Sequence, residues 1–337
     1  MKKIIAKPKA KVLISALCLL AIAPLLLSWG VFGHERINHA AVLSLPAPMQ
    51  SFFYNHIDYV TQESTVPDLR KYTLSDKVEY PRHYVDIENF GAIDSLPQTM
   101  EALKAKYDEK FLSDNGILPW YLKELMDKLT KSFKEKRKTE ILFLAADMGH
   151  YIGDAHMPLH TSVNHDGQLT DQKGIHAFWE AHLPELFGKD YTYHPGEVKY
   201  IADVQKEIWS IIRSSHQLVD TLLLADKRLK ETFPADRIYK TDSTGKVLKS
   251  KFKQDVHSDE YARQYHSLLK GMVERQMSGA IAATASFWYT AWVNAGKPDL
   301  NSLDTPQLTK RNAPLLHEEV KLWKSGKLIE IKSETEF

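Results

Sequence analysis

The chain has 337 residues, 43% of them apolar and 26% charged, with a formal net charge of +1. Those fractions are ordinary for a globular protein, and the even charge excludes a basic, nucleic-acid-coating surface. With 15 His and 1 Cys, the chain can bind borderline metals only through nitrogen and oxygen ligands.

Residues 1–28 read as a secretory signal peptide. Lys2, Lys3, Lys7, Lys9 and Lys11 precede an apolar run over residues 12–27, interrupted by Pro24 and closed by Ser28. At about 16 residues the run falls short of the roughly 20 that span a bilayer. Cys18 follows Leu17 rather than a small residue, which argues against a lipoprotein signal. Removal of the segment takes the net charge to about −4 and leaves no cysteine. The mature chain is therefore expected to be exported, periplasmic or secreted, free of disulfides and without stable membrane insertion.

Apolar residues three and four apart predict helices over residues 35–44, 120–134 and 138–156. Two longer helices are expected over 204–233 and 259–295. Leu45-Pro46-Ala47-Pro48, Ser113-Asp114-Asn115-Gly116 and residues 164–174 and 241–250 read as loops. Alternating strand patterns are scarce and no internal repeat is apparent. The expectation is an all-α fold with one multi-helix domain over residues 29–297. Beyond it, residues 298–337 form a C-terminal extension broken by Pro298, Asn301, Pro306 and Pro314, expected to be loosely attached.

The chemistry concentrates in His150-Tyr-Ile-Gly-Asp154-Ala-His-Met-Pro-Leu-His160. His150 and Asp154 are four apart and leave the same helix face. Pro158 should end that helix, so that His160 turns back from the loop. Gly149 and Gly153 leave room beside the ligands for another backbone or an ion. His176-Ala-Phe-Trp-Glu180 repeats the four-residue spacing. A single His–acid pair at that spacing is usually a surface pair. Two pairs and a third His within about 30 residues exceed what one tetrahedral zinc accepts. Trp29, directly after Ser28, would carry a free α-amine on cleavage, and that amine with its own carbonyl can chelate a metal beside His34.

In order and spacing these residues resemble the zinc-dependent phospholipase C and single-strand-specific nuclease superfamily. Trp29 and His34 match its N-terminal ligands, Asp68 in Val66-Pro67-Asp68 and His83 in Pro81-Arg82-His83-Tyr84 its next pair, followed by His150, Asp154, His160, His176 and Glu180. The resemblance implies three zinc ions: one on Asp68, His83, His150 and Asp154, a second on His160, His176 and Glu180, and a third on Trp29, His34 and a shared oxygen of Asp154. It implies a phosphodiesterase in which Asp68 orients the attacking water or accepts its proton. Three Zn²⁺ against Asp68, Asp154 and Glu180 leave a local charge of about +3, a focused anion trap.

The leading expectation is a nuclease acting on single-stranded nucleic acid. Trp179 and Leu118-Pro119-Trp120 resemble the nuclease branch, whereas Glu180, where that branch usually has Asp, resembles the phospholipase branch. A phospholipase C acting on phospholipid is the alternative, and a zinc-sequestering protein without turnover is the rival from another class. No protein partner is implied. His39, His56, His156, His165 and His182 read as surface or packed residues, Asp147 and Asp86 as supports of an imidazole or as caps, and Trp120 and Trp179 as core or base-stacking residues.

Overall fold

Helix is the regular structure of this chain. Among the described residues, strand-like pairing is confined to isolated bridges, Tyr239 with His257, Thr241 with Val247 and Lys249 with Asp255. The computed structural model describes residues 30–194, 196–250, 253–304 and 307–328. The expected signal peptide and Trp29 lie outside those residues. Within them, no helix is long and apolar enough to cross a membrane.

The Lys138–His156 helix is the centre. From Ala145 to His156 every residue is buried, as expected of a helix that is covered on all sides rather than amphipathic. The Leu118–Lys134, Met272–Asn294 and Gly30–Ser44 helices pack around it. Leu118–Lys134 carries Pro119 in its first turn, where the missing N–H costs nothing, and Lys131 and Lys134 in its last, where they oppose the helix dipole. Its apolar stripe, Leu118, Leu122, Leu125, Leu129 and Phe133, is buried. The central helix stops at Met157, which takes an extended conformation before Pro158 and leads into the 3-10 turn Pro158–Thr161.

Two expected helices are broken. Residues 259–295 form Asp259–Leu268 and Met272–Asn294, separated by Lys270 and Gly271 at φ of 50° and 75°. Residues 204–233 form Val204–His216 and Val219–Thr232. There the first helix is held at its end: Ser215 Oγ donates to the Ala155 carbonyl at 2.7 Å, and His216 Nδ1 lies 3.0 Å from the Thr161 carbonyl. The Pro46–Pro48 loop opens a helix, Ala47–Tyr54, because proline is tolerated in a first turn.

The C-terminal extension is not loose in its described part. It forms the helix Asn312–Lys324 and buries Leu316, Glu319 and Trp323. The many charges of the segment hide that face in the sequence; buried Glu319 pairs with His39 at 2.5 Å and with the Tyr54 hydroxyl.

Candidate metal centre

Five separate segments deliver the ligand candidates, the central helix with its following turn among them. His34 sits in the first turns of Gly30–Ser44, and its ring stacks on His150 at 3.9 Å. Gly153 makes this possible: a Cβ there would lie 3.1 Å from the His34 ring. Gly149 serves a neighbour, for its Cβ would meet Asn38 Oδ1 at 1.7 Å. Asn38 Nδ2 donates to the carbonyls of Val60 and Ala146 at 3.1 Å, which fastens the first helix to the central one. Asp68 lies in the short helix Val66–Tyr72, and His83 follows the turn Tyr80–Arg82. His176 precedes Glu180, which lies in a π-helical turn, Phe178–His182; such turns recur at functional sites.

The side chains converge in two adjoining groups. In the first, His83 Nδ1 and His150 Nε2 face each other at 3.1 Å. Asp154 Oδ2 lies 3.0 and 3.3 Å from these nitrogens, and Asp68 Oδ1 3.6 and 4.0 Å. In the second, His160 Nε2 and His176 Nε2 are 3.2 Å apart, with Glu180 oxygens at 3.7 and 2.8 Å. Metal–nitrogen bonds of about 2.0–2.1 Å place tetrahedral ligands about 3.3 Å from one another, the spacing seen here. Asp154 joins the groups: its Oδ1 lies 3.7 Å from His34 Nε2 and 3.4 Å from His160 Nδ1. Eight of the nine candidates thus meet in space, and the ninth, Trp29, lies outside the described residues.

The far ring nitrogens are engaged elsewhere. His150 Nδ1 donates to the Ser64 carbonyl at 2.8 Å and His176 Nδ1 to the His165 carbonyl at 2.7 Å. His83 Nε2 lies 3.5 Å from Glu79 Oε1. These contacts turn the remaining nitrogens inward, the arrangement that orients metal-bound imidazoles. Two inward lone pairs at 3.1 Å repel unless a proton or a cation lies between them. At His150 burial opposes charge, yet Asp154 and Asp68 push its pKa up to about 9. His83 is pushed down to about 4 by burial and by Lys71. Burial raises Asp68 to about 7 against the pull of His150 and Lys71. The donor set of five imidazoles and three carboxylates suits divalent zinc.

Motif reading misses Glu79, which lies 3.5 Å from the ring of His83. It is fully buried and accepts from Arg70 Nε at 3.1 Å, Arg82 Nη1 at 2.9 Å and the Tyr151 hydroxyl. Asp147, expected to steady an imidazole or cap a helix, instead pairs with Arg70 Nη2 at 2.6 Å. Asp86 precedes the short helix Ile87–Phe90 without capping it. Trp120 and Trp179 are core residues, 1% and 0% exposed. His156 is buried, with Nδ1 donating to the Ile152 carbonyl.

His83, His160 and His176 line a cleft of about 670 Å³ whose walls also include Lys71, Tyr72, Tyr80, Tyr84 and Asp86. Lys71 Nζ lies 4.7 Å from the Tyr72 ring and 5.2 Å from that of Tyr80. A larger cavity, about 710 Å³ between residues 196–211 and the Met272–Asn294 helix, contains none of the ligand candidates. Of the two, only the cleft is lined by ligand candidates, His83, His160 and His176.

Two comparisons bear on what the site does. The family described as S1/P1 Nuclease matches residues 29–282. Nuclease S1 of Aspergillus oryzae is 26% identical over 188 residues, which cover 51% of this chain. The chain spans 60% of the length of that curated relative.

Proposed function

This chain belongs to the S1/P1 nuclease family, and from that premise we propose that it is an exported three-zinc phosphodiesterase that cleaves single-stranded nucleic acid. The carrying observation is the 3.1 Å approach of His83 Nδ1 to His150 Nε2 against an Asp154 carboxylate whose other oxygen faces His34 and His160. Asp68, His83, His150 and Asp154 would hold one ion and His160, His176 and Glu180 the second. His34 and the second oxygen of Asp154, with the amine and carbonyl of Trp29, would hold the third.

Bound zinc supplies positive charge for the phosphoryl oxygens and brings the pKa of water to about 7. The chain's own residues do the rest. Asp68, beside His83 and His150 in the first group, would orient the attacking water or accept its proton. Lys71 draws the phosphodiester into the cleft; although burial works against its charge, Tyr72 and Asp68 hold its ammonium above the ordinary lysine range. Tyr72, Tyr80 and Tyr84 offer ring faces, and stacking of one base on an aromatic side chain is worth about 1–3 kcal/mol. A duplex keeps its bases stacked within itself, so these faces favour single strands.

A phospholipase C reading is the second. It is favoured by Glu180 and by Leu74 and Val78, apolar side chains 72% and 63% exposed that lie between Asp68 and His83 in sequence. The deciding experiment measures zinc content and hydrolysis of single-stranded DNA, duplex DNA and phosphatidylcholine at equal enzyme. Three zincs with preferential cleavage of single strands is the expected result. Preferred turnover of the lipid would replace the nuclease reading, and a fully zinc-loaded protein that hydrolyses none of them would leave zinc sequestration.

A further inference from the structure

The C-terminal segment lies beyond the residues matched by the family, 29–282, and it touches two ligand-bearing helices and the stretch that follows the Glu180 turn and its next helix. At its start Asp304 Oδ2 pairs with His56 Nε2 at 2.5 Å and with Lys138 Nζ at 2.7 Å; Lys138 is the first residue of the helix that carries His150 and Asp154. Next, Asn312 Nδ2 donates to the Tyr54 carbonyl at 3.1 Å. Glu319 pairs with His39 at 2.5 Å, and Trp323 Nε1 donates to Ser44 Oγ at 3.0 Å; both partners lie on the helix that carries His34. Finally, the Tyr193 N–H donates to the Gly326 carbonyl at 2.8 Å, and Lys327 Nζ to the Tyr191 carbonyl at 2.9 Å. Those residues follow the Leu183–Phe187 helix, which continues directly from the turn holding Glu180.

We propose that residues 298–304 and 307–328 act as a strap that fixes the rotation of the Gly30–Ser44 helix, so that His34 reaches Asp154 and the third zinc site closes. The proposal rests on the three-zinc reading above. A helical side chain lies about 6 Å from the helix axis, so a rotation of about 10° moves its tip by about 1 Å. Ligand distances tolerate roughly 0.2 Å. Small residual freedom of this helix is therefore enough to lose the third ion. The other two ions, held by residues from Val66–Tyr72, His83, the central helix and the 160–180 region, would survive. At its other end the helix is already wedged, because the Phe32 ring would meet a Cβ at Gly188 at 2.6 Å. Its C-terminal half, with His39 and Ser44, is what the strap grips. Glu319, Trp323 and Lys327 are thus positioning residues.

The test compares the full chain with a Glu319→Ala/Trp323→Ala variant, by zinc content after dialysis and by the time course of zinc loss to a chelator. The wild type is expected to hold three zincs and the variant two, matching His34→Ala, with no further loss when His34→Ala is added. Glu319→Gln, which keeps the side-chain volume, serves if the double variant does not fold; it should release one zinc about tenfold faster while the other two leave at the wild-type rate. Three zincs and wild-type release in the strap variants, whatever their melting temperature, would overturn the strap. Fewer than three in the wild type would overturn the three-zinc reading instead.

Discussion

Replacing Glu79 with glutamine separates orientation of a ligand from simple packing. Glu79 keeps its volume in the variant but loses its charge and half of its acceptor capacity. In the native site burial opposes the anion, yet bonds from His83, Tyr151 and Arg70 hold its pKa far below the usual carboxylate range. Breaking a buried ion pair from one side costs about 3–5 kcal/mol. Arg70 and Arg82 keep 19% and 24% exposure, so water recovers part of this and about 2–3 kcal/mol remains. For a chain of this size that is a melting temperature lower by about 5 °C. The second effect falls on His83, whose Nε2 loses its carboxylate. Removal of such a partner weakens metal affinity about 10–100-fold, or roughly 1.4–2.7 kcal/mol. Glu79→Gln should therefore show both a lower melting point without zinc and weaker zinc binding in a chelator competition. A variant that is destabilised but holds all its zinc with native affinity would refute the orientation of His83 by Glu79 and leave it as an anchor for two guanidiniums.

Three further outcomes follow from the same geometry. Asp154→Ala should lose more than one zinc per chain and nearly all hydrolysis, because its two oxygens face different groups; unchanged stoichiometry by metal analysis would count against a bridging role. His150 has a folded pKa of about 9, above its ordinary 6.5, so its contribution to the zinc-free protein is complete below pH 6.5 and lost as pH rises through 9. Between pH 7 and 9.5 the zinc-free melting temperature should fall while that of the zinc-loaded protein does not, and equal slopes would contradict this. Gly149→Ala puts a Cβ against Asn38 and should cost about 1–3 kcal/mol in denaturant unfolding; a neutral result would mean that Asn38 does not brace the two helices.

Local spacing made part of the centre legible in the sequence. His150 and Asp154 share a face because four residues make about one turn, and Pro158 stops the helix by a clash that any sequence with X-Pro carries. The two glycines of this block announce close approach, though not that Gly153 admits the His34 ring and Gly149 the Asn38 amide. Glu79 was illegible for a physical reason: Arg82 and His83 lie three and four residues on, but Arg70 and Tyr151, which complete its burial, meet it only after folding. The break between His216 and Val219 has the same character. No glycine or proline marks it, and the capture of Ser215 and His216 by carbonyls of another segment fixes the helix end. Lys270 and Gly271 form the contrasting case, where glycine was visible but the left-handed pair it completes was not.

The composition of the centre also says how folding and metal loading are related. Five imidazoles and three carboxylates are gathered within the core, nearly all of them excluded from solvent. A buried polar group deprived of partners costs about 1–3 kcal/mol, and a buried charge costs more. On the three-zinc proposal, cations would neutralise the three carboxylates and occupy the facing lone pairs at once, so each ion bound would contribute to folding as well as to chemistry. The strap and the Glu79 network act in the complementary direction. They hold His34 and His83 near their final positions before an ion arrives, which lowers the ordering cost that binding must meet. A centre assembled from widely separated segments gains more from such bracing than one built on a single helix, and this one draws on segments from His34 to Glu180.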